Sequence, residues 1–178
     1  MRRLVSVLLL ACLSLPASVR AAEVLDSASF SLSQFAGAKV IYLDFWASWC
    51  VPCRHSFPWL NAMQHKYGKY GLVIVGINVD PDPADAHKFL RKYPADFPLV
   101  MDPKGELAEK WKLQGMPSAV ILDPQGHELH RHIGFRSDHA GDYEQIVRKL
   151  LADAEKADAG KAQAGKPGSV NSDTGTSR

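Results

Sequence analysis

DFWASWCVPC, residues 44–53, joins the end of an apolar run to two cysteines three positions apart. The run itself, KVIYLDFW (39–46), is β-branched and aromatic without alternation, as in a strand covered on both faces. After the cysteines, FPWLNAMQHKYGKYG (57–71) carries apolar residues at helical spacing and closes on Gly68 and Gly71. LVIVGINV (72–79) is a second continuous strand. Strand, helix, strand in that order is a parallel unit, and it places Cys50 where strand becomes helix. Pro52 then falls in the first helical turn, where a missing N–H is harmless, whereas Pro58 inside the helix predicts a kink.

A CxxC pair can be half of a zinc site, a structural bridge or a reactive dithiol. The chain has 3 cysteines and 7 histidines. No second pair stands at finger-like spacing; His130 and His132 share a strand face near His127 and His139, and read as surface hairpin histidines. No metal site is expected. A structural bridge between Cys50 and Cys53 closes too small a loop to restrain the unfolded chain much. Redox chemistry is what the position favours, because a thiol at a helix start faces unpaired N–H groups and the positive end of the dipole, which stabilises thiolate. A second sulfur one turn on is placed to resolve a mixed disulfide, so Cys50 attacks and Cys53 resolves.

The N-terminus bounds the compartment. Arg2 and Arg3 precede an apolar stretch from Leu4 to Leu15, then Pro16 and small residues ending at Ala21. That is the pattern of a secretory signal over residues 1–21, and the stretch is shorter than the ~20 residues a membrane span needs. Leu-Leu-Ala-Cys at 9–12 also offers a lipid-attachment reading at Cys12, set aside for the better-placed cleavage site. Removing Arg2, Arg3 and Arg20 takes Lys+Arg from 21 to 18 against 19 Asp+Glu. The mature charge near −1, with no basic cluster among aromatics, gives no reason to expect nucleic acid. The 178 residues, 46% hydrophobic, suffice for one domain, over 22–155. Residues 156–178 are rich in Ala, Gly, Ser, Lys and Asp and read as a fraying helix end and a disordered low-complexity tail.

Between those limits the elements alternate. Asp82 and Pro83 open a helix in DPDPADAHKFLRKY, LVM (99–101) is a short strand, and GELAEKWKL (105–113) a short helix. SAVILD and HELHRHIGF flank Pro124-Gln125-Gly126 as an antiparallel hairpin, and DYEQIVRKLLADAEK is an amphipathic helix that lies back on the sheet. The class is α/β, a central mixed β-sheet flanked by helices.

DFWASWCVPC and GMPS (115–118), the latter just before a strand, resemble the active-site segment and cis-proline loop of the thioredoxin superfamily. The stretch from Ile77 to Phe135 is similar to the TlpA/ResA/DsbE branch of exported thiol-disulfide oxidoreductases, which carries a TlpA-type helix–strand insertion before the cis-proline loop. The resemblance, from about Phe30 to Leu150, implies a thioredoxin-like fold without cofactor and a redox-active Cys50–Cys53 disulfide. It implies Cys50 as the exposed nucleophile, Cys53 as its buried partner and Asp44 as a buried acid shuttling the Cys53 proton. Trp49, Val51, Pro52, Met116 and Pro117, the last in cis, form the expected substrate contact. Two departures stand out: Ser56 occupies a position where many of these proteins have glutamate, and the segment before Phe30 lacks the branch's N-terminal hairpin. The expected function is a periplasmic reductant of disulfides in exported proteins, recharged by a membrane thiol donor of the DsbD/CcdA type. The rivals are a disulfide donor using the same CxxC and a redox-linked copper-handling module.

Overall fold

The computed structural model describes residues 24–164. The expected signal segment, Cys12 included, lies outside the described residues, as does the chain beyond 164. Six strands form one mixed sheet in the order β1-β4-β3-β2-β5-β6. They are β1 (Val24–Asp26), β2 (Val40–Trp46), β3 (Leu72–Asn78), β4 (Leu99–Met101), β5 (Ser118–Leu122) and β6 (Glu128–Ile133). The helices are α1 (Val51–Tyr67), α2 (Pro83–Lys92), α3 (Glu106–Lys110) and α4 (Ala140–Ala164). This is a thioredoxin-like α/β fold, with α2 and β4 forming the expected insertion between β3 and β5.

β2 lies between parallel β3 and antiparallel β5, and all of its residues are buried. Period-2 alternation divides it between two apolar layers. Val40, Tyr42 and Trp46 meet α1, α2 and α4 through residues such as Phe57, Leu60, Phe89 and Val147. Ile41, Leu43 and Phe45 meet Leu107 of α3 and, from the N-terminal segment, Phe30, Leu32 and Phe35. Trp46, Phe57 and Phe89 form a tight aromatic triangle, with ring centroids 4.8–4.9 Å apart, that fastens α2 beside α1.

Local signals set the helix ends. Asp82 accepts from the Ala84 N–H at 2.8 Å and caps α2 ahead of Pro83. Gly71, at φ 98°, turns the chain from α1 into β3 in the left-handed region that favours glycine. α1 runs from Val51 to Tyr67 with Pro58 inside it.

One strand is absent from the sequence reading. β1 was not anticipated: three residues carry too little periodicity, and the strand exists by pairing in parallel with β4. α4 runs to Ala164, through the stretch read from sequence as a helix end. Alanine and lysine favour helix there, and Lys39 Nζ ties the extension down through Glu155 at 2.5 Å and Asp158 at 3.9 Å.

Gly76, in the middle of β3, sits where a Cβ would come within 2.9 Å of both Leu99 Cδ2 and Phe97 Cε2. Gly76→Ala is expected to destabilise the protein by ~1–3 kcal/mol through overpacking. Urea unfolding midpoints measure this, and an unchanged midpoint would show that Phe97 and Leu99 yield freely.

Candidate active site

The two cysteines occupy the turn from β2 into α1, at the carboxyl end of the central strands. Cys50 is the N-cap of α1 and its Sγ accepts from the Cys53 N–H at 3.2 Å. The sulfur thus satisfies one of the unpaired donors at the helix start. Cys50 and Cys53 are joined as a disulfide, with Cα atoms 5.3 Å apart. Pro52 lies in the first turn, as expected.

The loop before Cys50 is held by Asp80, just beyond β3. Its buried carboxylate accepts from the Ser48 N–H at 2.8 Å, the Ser48 hydroxyl at 3.0 Å and the Asn78 amide at 2.8 Å. Backbone bonds reinforce this, from Val79 N–H to Trp46 O at 3.0 Å and from Cys50 N–H to Ala47 O at 3.1 Å. Sequence reasoning missed Ser48 and Asp80. The available signal was an acid placed directly after the apolar run of β3.

Asp44 lies within β2, on the face that carries Tyr42, Trp46 and, across the core, Cys53. It is 3% exposed, and its Oδ2 has no hydrogen-bond partner among the described residues. Burial pushes its carboxyl from 3.8 up to about 8.

One more titratable group, half-buried, lies on the same face. His132, paired with Ala119, which in turn pairs with Asp44, stacks on Tyr143 at 4.6 Å and has its Nε2 3.3 Å from Tyr42 Oη. Burial, and secondarily His130, lowers it to about 4. The surface reading of the hairpin histidines therefore fails for His132. A local strand pattern does not reveal that α4 returns to lay Tyr143 over it.

The Met116–Pro117 peptide is cis, immediately before β5, the strand beside β2. Pro117 O accepts from the Gly134 N–H at 2.8 Å, and Ser118 Oγ donates to Gly115 O at 2.7 Å. Met116 is half-buried and packs against the cluster that contains both cysteines. Trp49 and Val51 are 62% and 56% exposed. Ile133, at the end of β6, is a further exposed apolar residue; a Cβ on Gly115 would lie 2.9 Å from its Cγ2, which places it beside the cis-proline loop.

Cys50 departs from the expectation of an exposed sulfur: it is 3% exposed and Cys53 is fully buried. In the disulfide the first sulfur is drawn onto the helix N-terminus and into the apolar cluster of Phe57 and Ala119. Ser56 does not replace the missing glutamate, since its buried hydroxyl donates to Cys53 O at 3.1 Å. Among the described residues, no group of three or more His, Cys, Asp or Glu side chains is arranged to hold a metal ion, and no helix is long and apolar enough to cross a membrane.

A thioredoxin-like sheet that carries a CxxC disulfide at a helix N-terminus, with a cis-proline ahead of the neighbouring strand, defines a thiol-disulfide oxidoreductase. The sequence profile of the Redoxin family matches residues 14–147. The chain is 28% identical over 126 residues to the thiol-disulfide oxidoreductase ResA of Bacillus thuringiensis subsp. konkukian, covering 71% of each. ResA of Bacillus subtilis is 33% identical over 88 residues, 49% of each chain. Among solved structures, a Chlorobium tepidum chain assigned as thiol:disulfide interchange protein DsbE is 45% identical with a TM-score of 0.65, covering 67% of this chain and 84% of that one. StoA from Bacillus subtilis, at 23% identity and TM-score 0.54 over 62% and 83%, shares the fold. The chain belongs to the Redoxin family, within the thioredoxin superfamily and similar to its TlpA/ResA/DsbE branch.

The raised carboxyl of Asp44 has a signed consequence for stability. The folded protein keeps a proton on Asp44 that the unfolded chain has released. Stability therefore falls as pH rises from the ordinary value of 3.8 to about 8; below that window the cost is absent and above it complete. Removing the carboxyl in Asp44→Asn is expected to make the variant gain on the wild type by up to roughly 1.4 kcal/mol per pH unit through this window. Urea titrations at several pH values read the difference in slope, and parallel stability curves would show that Asp44 ionises normally.

Proposed function

We propose that this protein reduces disulfides in exported proteins, with Cys50 as nucleophile, Cys53 as resolving thiol and Asp44 as the group that exchanges the Cys53 proton. The observation that carries this reading is the Cys50 sulfur at the N-terminus of α1, bonded to Cys53, with a buried carboxyl of thiol-like pKa on the same core face. In the dithiol state the Cys50 thiolate attacks one sulfur of the client disulfide, forming a mixed disulfide and releasing the first client thiolate. Cys53, losing its proton towards Asp44, then attacks Cys50 Sγ and releases the second. The client gains two electrons, and the enzyme is left with the Cys50–Cys53 disulfide. A carboxyl raised to about 8 is far closer to thiols as a class than an ordinary carboxylate is, which suits a group that exchanges a proton with one.

The direction rests on the Val-Pro dipeptide between the cysteines, closer to the Gly-Pro of reductants than to the Pro-His of strong oxidants, and the location on the N-terminal signal pattern. An exported reductase works in an oxidising compartment and has to be recharged. Residues 22–178 contain only Cys50 and Cys53 and no cofactor motif. A membrane thiol donor of the DsbD/CcdA type is the partner this chemistry needs. Trp49, Val51, Pro52, Met116 and Pro117 surround the pair as the client contact, with Ile133 added to that surface.

Two measurements test the proposal. Cys53→Ser is expected to accumulate mixed disulfides with clients and with the donor in the periplasm, while Cys50→Ser traps far less. Equal trapping by both, or none by either after thiol quenching, would remove the Cys50-first order. Equilibration with glutathione is expected to give a potential more reducing than roughly −180 mV, the level of protein disulfide isomerase. A value near that of DsbA-type oxidants would reverse the direction.

A further inference from the structure

Beside the disulfide, the first turn of α1 and the outer face of α2 enclose a cleft of about 280 Å³ lined by Ser48, Arg54, Asp85, Lys88, Phe89, Lys92 and Tyr93. Its position is fixed from below: Phe89 packs on Trp46 and Phe57, and Ser48 is held through both its N–H and its hydroxyl by Asp80. Ser48 stands two residues before Cys50, and Arg54 follows Cys53 directly. One side of the cleft is therefore formed by residues that flank the CxxC pair in the chain.

The charges in the cleft do not balance. Asp85 is the one acid in the lining, and Lys88 Nζ holds it at 2.8 Å. Asp80 has its carboxylate oxygens committed to Ser48 and Asn78. Arg54 and Lys92 have no ion-pair partner among the described residues; Lys92 Nζ lies 5.6 Å from the centroid of the Tyr93 ring. The N-terminus of α1 adds its positive end on the same side. Arg54 brings several donors in a planar fork suited to a carboxylate, and the rings of Tyr93 and Phe89 supply an apolar wall.

We propose that this cleft receives an acidic segment of the client polypeptide, an Asp or Glu side chain flanking the client cysteine. The inference rests on the oxidoreductase reading above and names the substrate class for the same site. α2, the inserted helix, thus acts in recognition: it carries Lys92 to the cleft that Arg54 lines from α1, and the two steer clients with local negative charge towards Cys50. Because the cations are solvent-exposed, the effect is one of encounter rate and is weakened by salt.

The test uses the whole mature protein and three disulfide-bonded peptides of equal length, whose cysteines are flanked by Glu, by Gln or by Lys. An uncharged small-molecule disulfide serves as a fourth substrate. At low ionic strength kcat/KM is expected to be ~5-fold higher for the Glu peptide than for the Gln peptide, lower still for the Lys peptide, and the spread to collapse at high salt. Arg54→Glu/Lys92→Glu is expected to invert the order of Glu and Lys peptides. Lys156→Glu, the same kind of charge change out on α4, is expected to keep the wild-type order. Equal rates on all three peptides, with the uncharged disulfide still turned over by the wild type, would overturn the cleft assignment alone. An equal shift from Lys156→Glu would overturn it by reducing the preference to net charge. Failure of the wild type to reduce even the uncharged disulfide would overturn the oxidoreductase reading on which it rests.

Discussion

β2 has water on neither face and a neighbour on each edge, so nothing in it can be satisfied by solvent. Its apolar residues divide between the two layers of the core, and its backbone is paired with β3 and β5. Asp44 is the one member that gains nothing from burial. A strand of Val, Ile, Tyr, Leu, Phe and Trp stabilises the centre of the sheet strongly enough to carry a desolvated carboxyl, and the same burial raises that carboxyl into the range of a thiol. Fold and chemistry thus draw on one constraint: an acid placed where only apolar groups are comfortable.

The parallel pairing of β2 with β3 carries this constraint to the cysteines. It brings both strand ends to one edge of the molecule, where loops collect in open sheets of this kind. There the end of β3 reaches across, through Asn78 and Asp80, to hold the loop that leads out of β2. Cys50 is consequently an N-cap whose position is determined from three sides: by Trp46 at the strand end, by Ser48 on Asp80 and by the helix it begins.

Much of this was legible in the residues from 39 to 79 because the signals are local. A continuous apolar run, a CxxC pair at its end, a proline in the next turn and glycines beyond mark strand, site and helix without reference to anything distant. The hairpin around Gly126 and the start of α2 at Asp82-Pro83 were legible for the same reason. What escaped depends on contacts far apart in sequence. β1 is a strand because β4 lies beside it, His132 is half-covered because Tyr143 returns over it, and Asp80 matters because Ser48 folds back to it. The burial of Cys50 belongs to this group: a cysteine at a helix start reads as accessible until the cis-proline loop and Phe57 are placed around it.

That burial changes where selectivity has to reside. A sulfur on a residue only 3% exposed offers a client almost no surface to bind, so the first contacts are made by what surrounds it. Trp49, Val51 and Ile133 present apolar area of the kind that supports a bound peptide, and the Arg54–Lys92 side presents charge. Apolar contact is short-ranged and indifferent to charge, whereas the cationic side acts before contact is made. Under the proposed reading, charge orients a polypeptide client first and apolar contact then holds it against the rim of Cys50. Ser56, whose hydroxyl is occupied by a helix carbonyl, offers no second acid on the buried side, so in the proposed mechanism proton transfer falls to Asp44 and discrimination between clients to the surface.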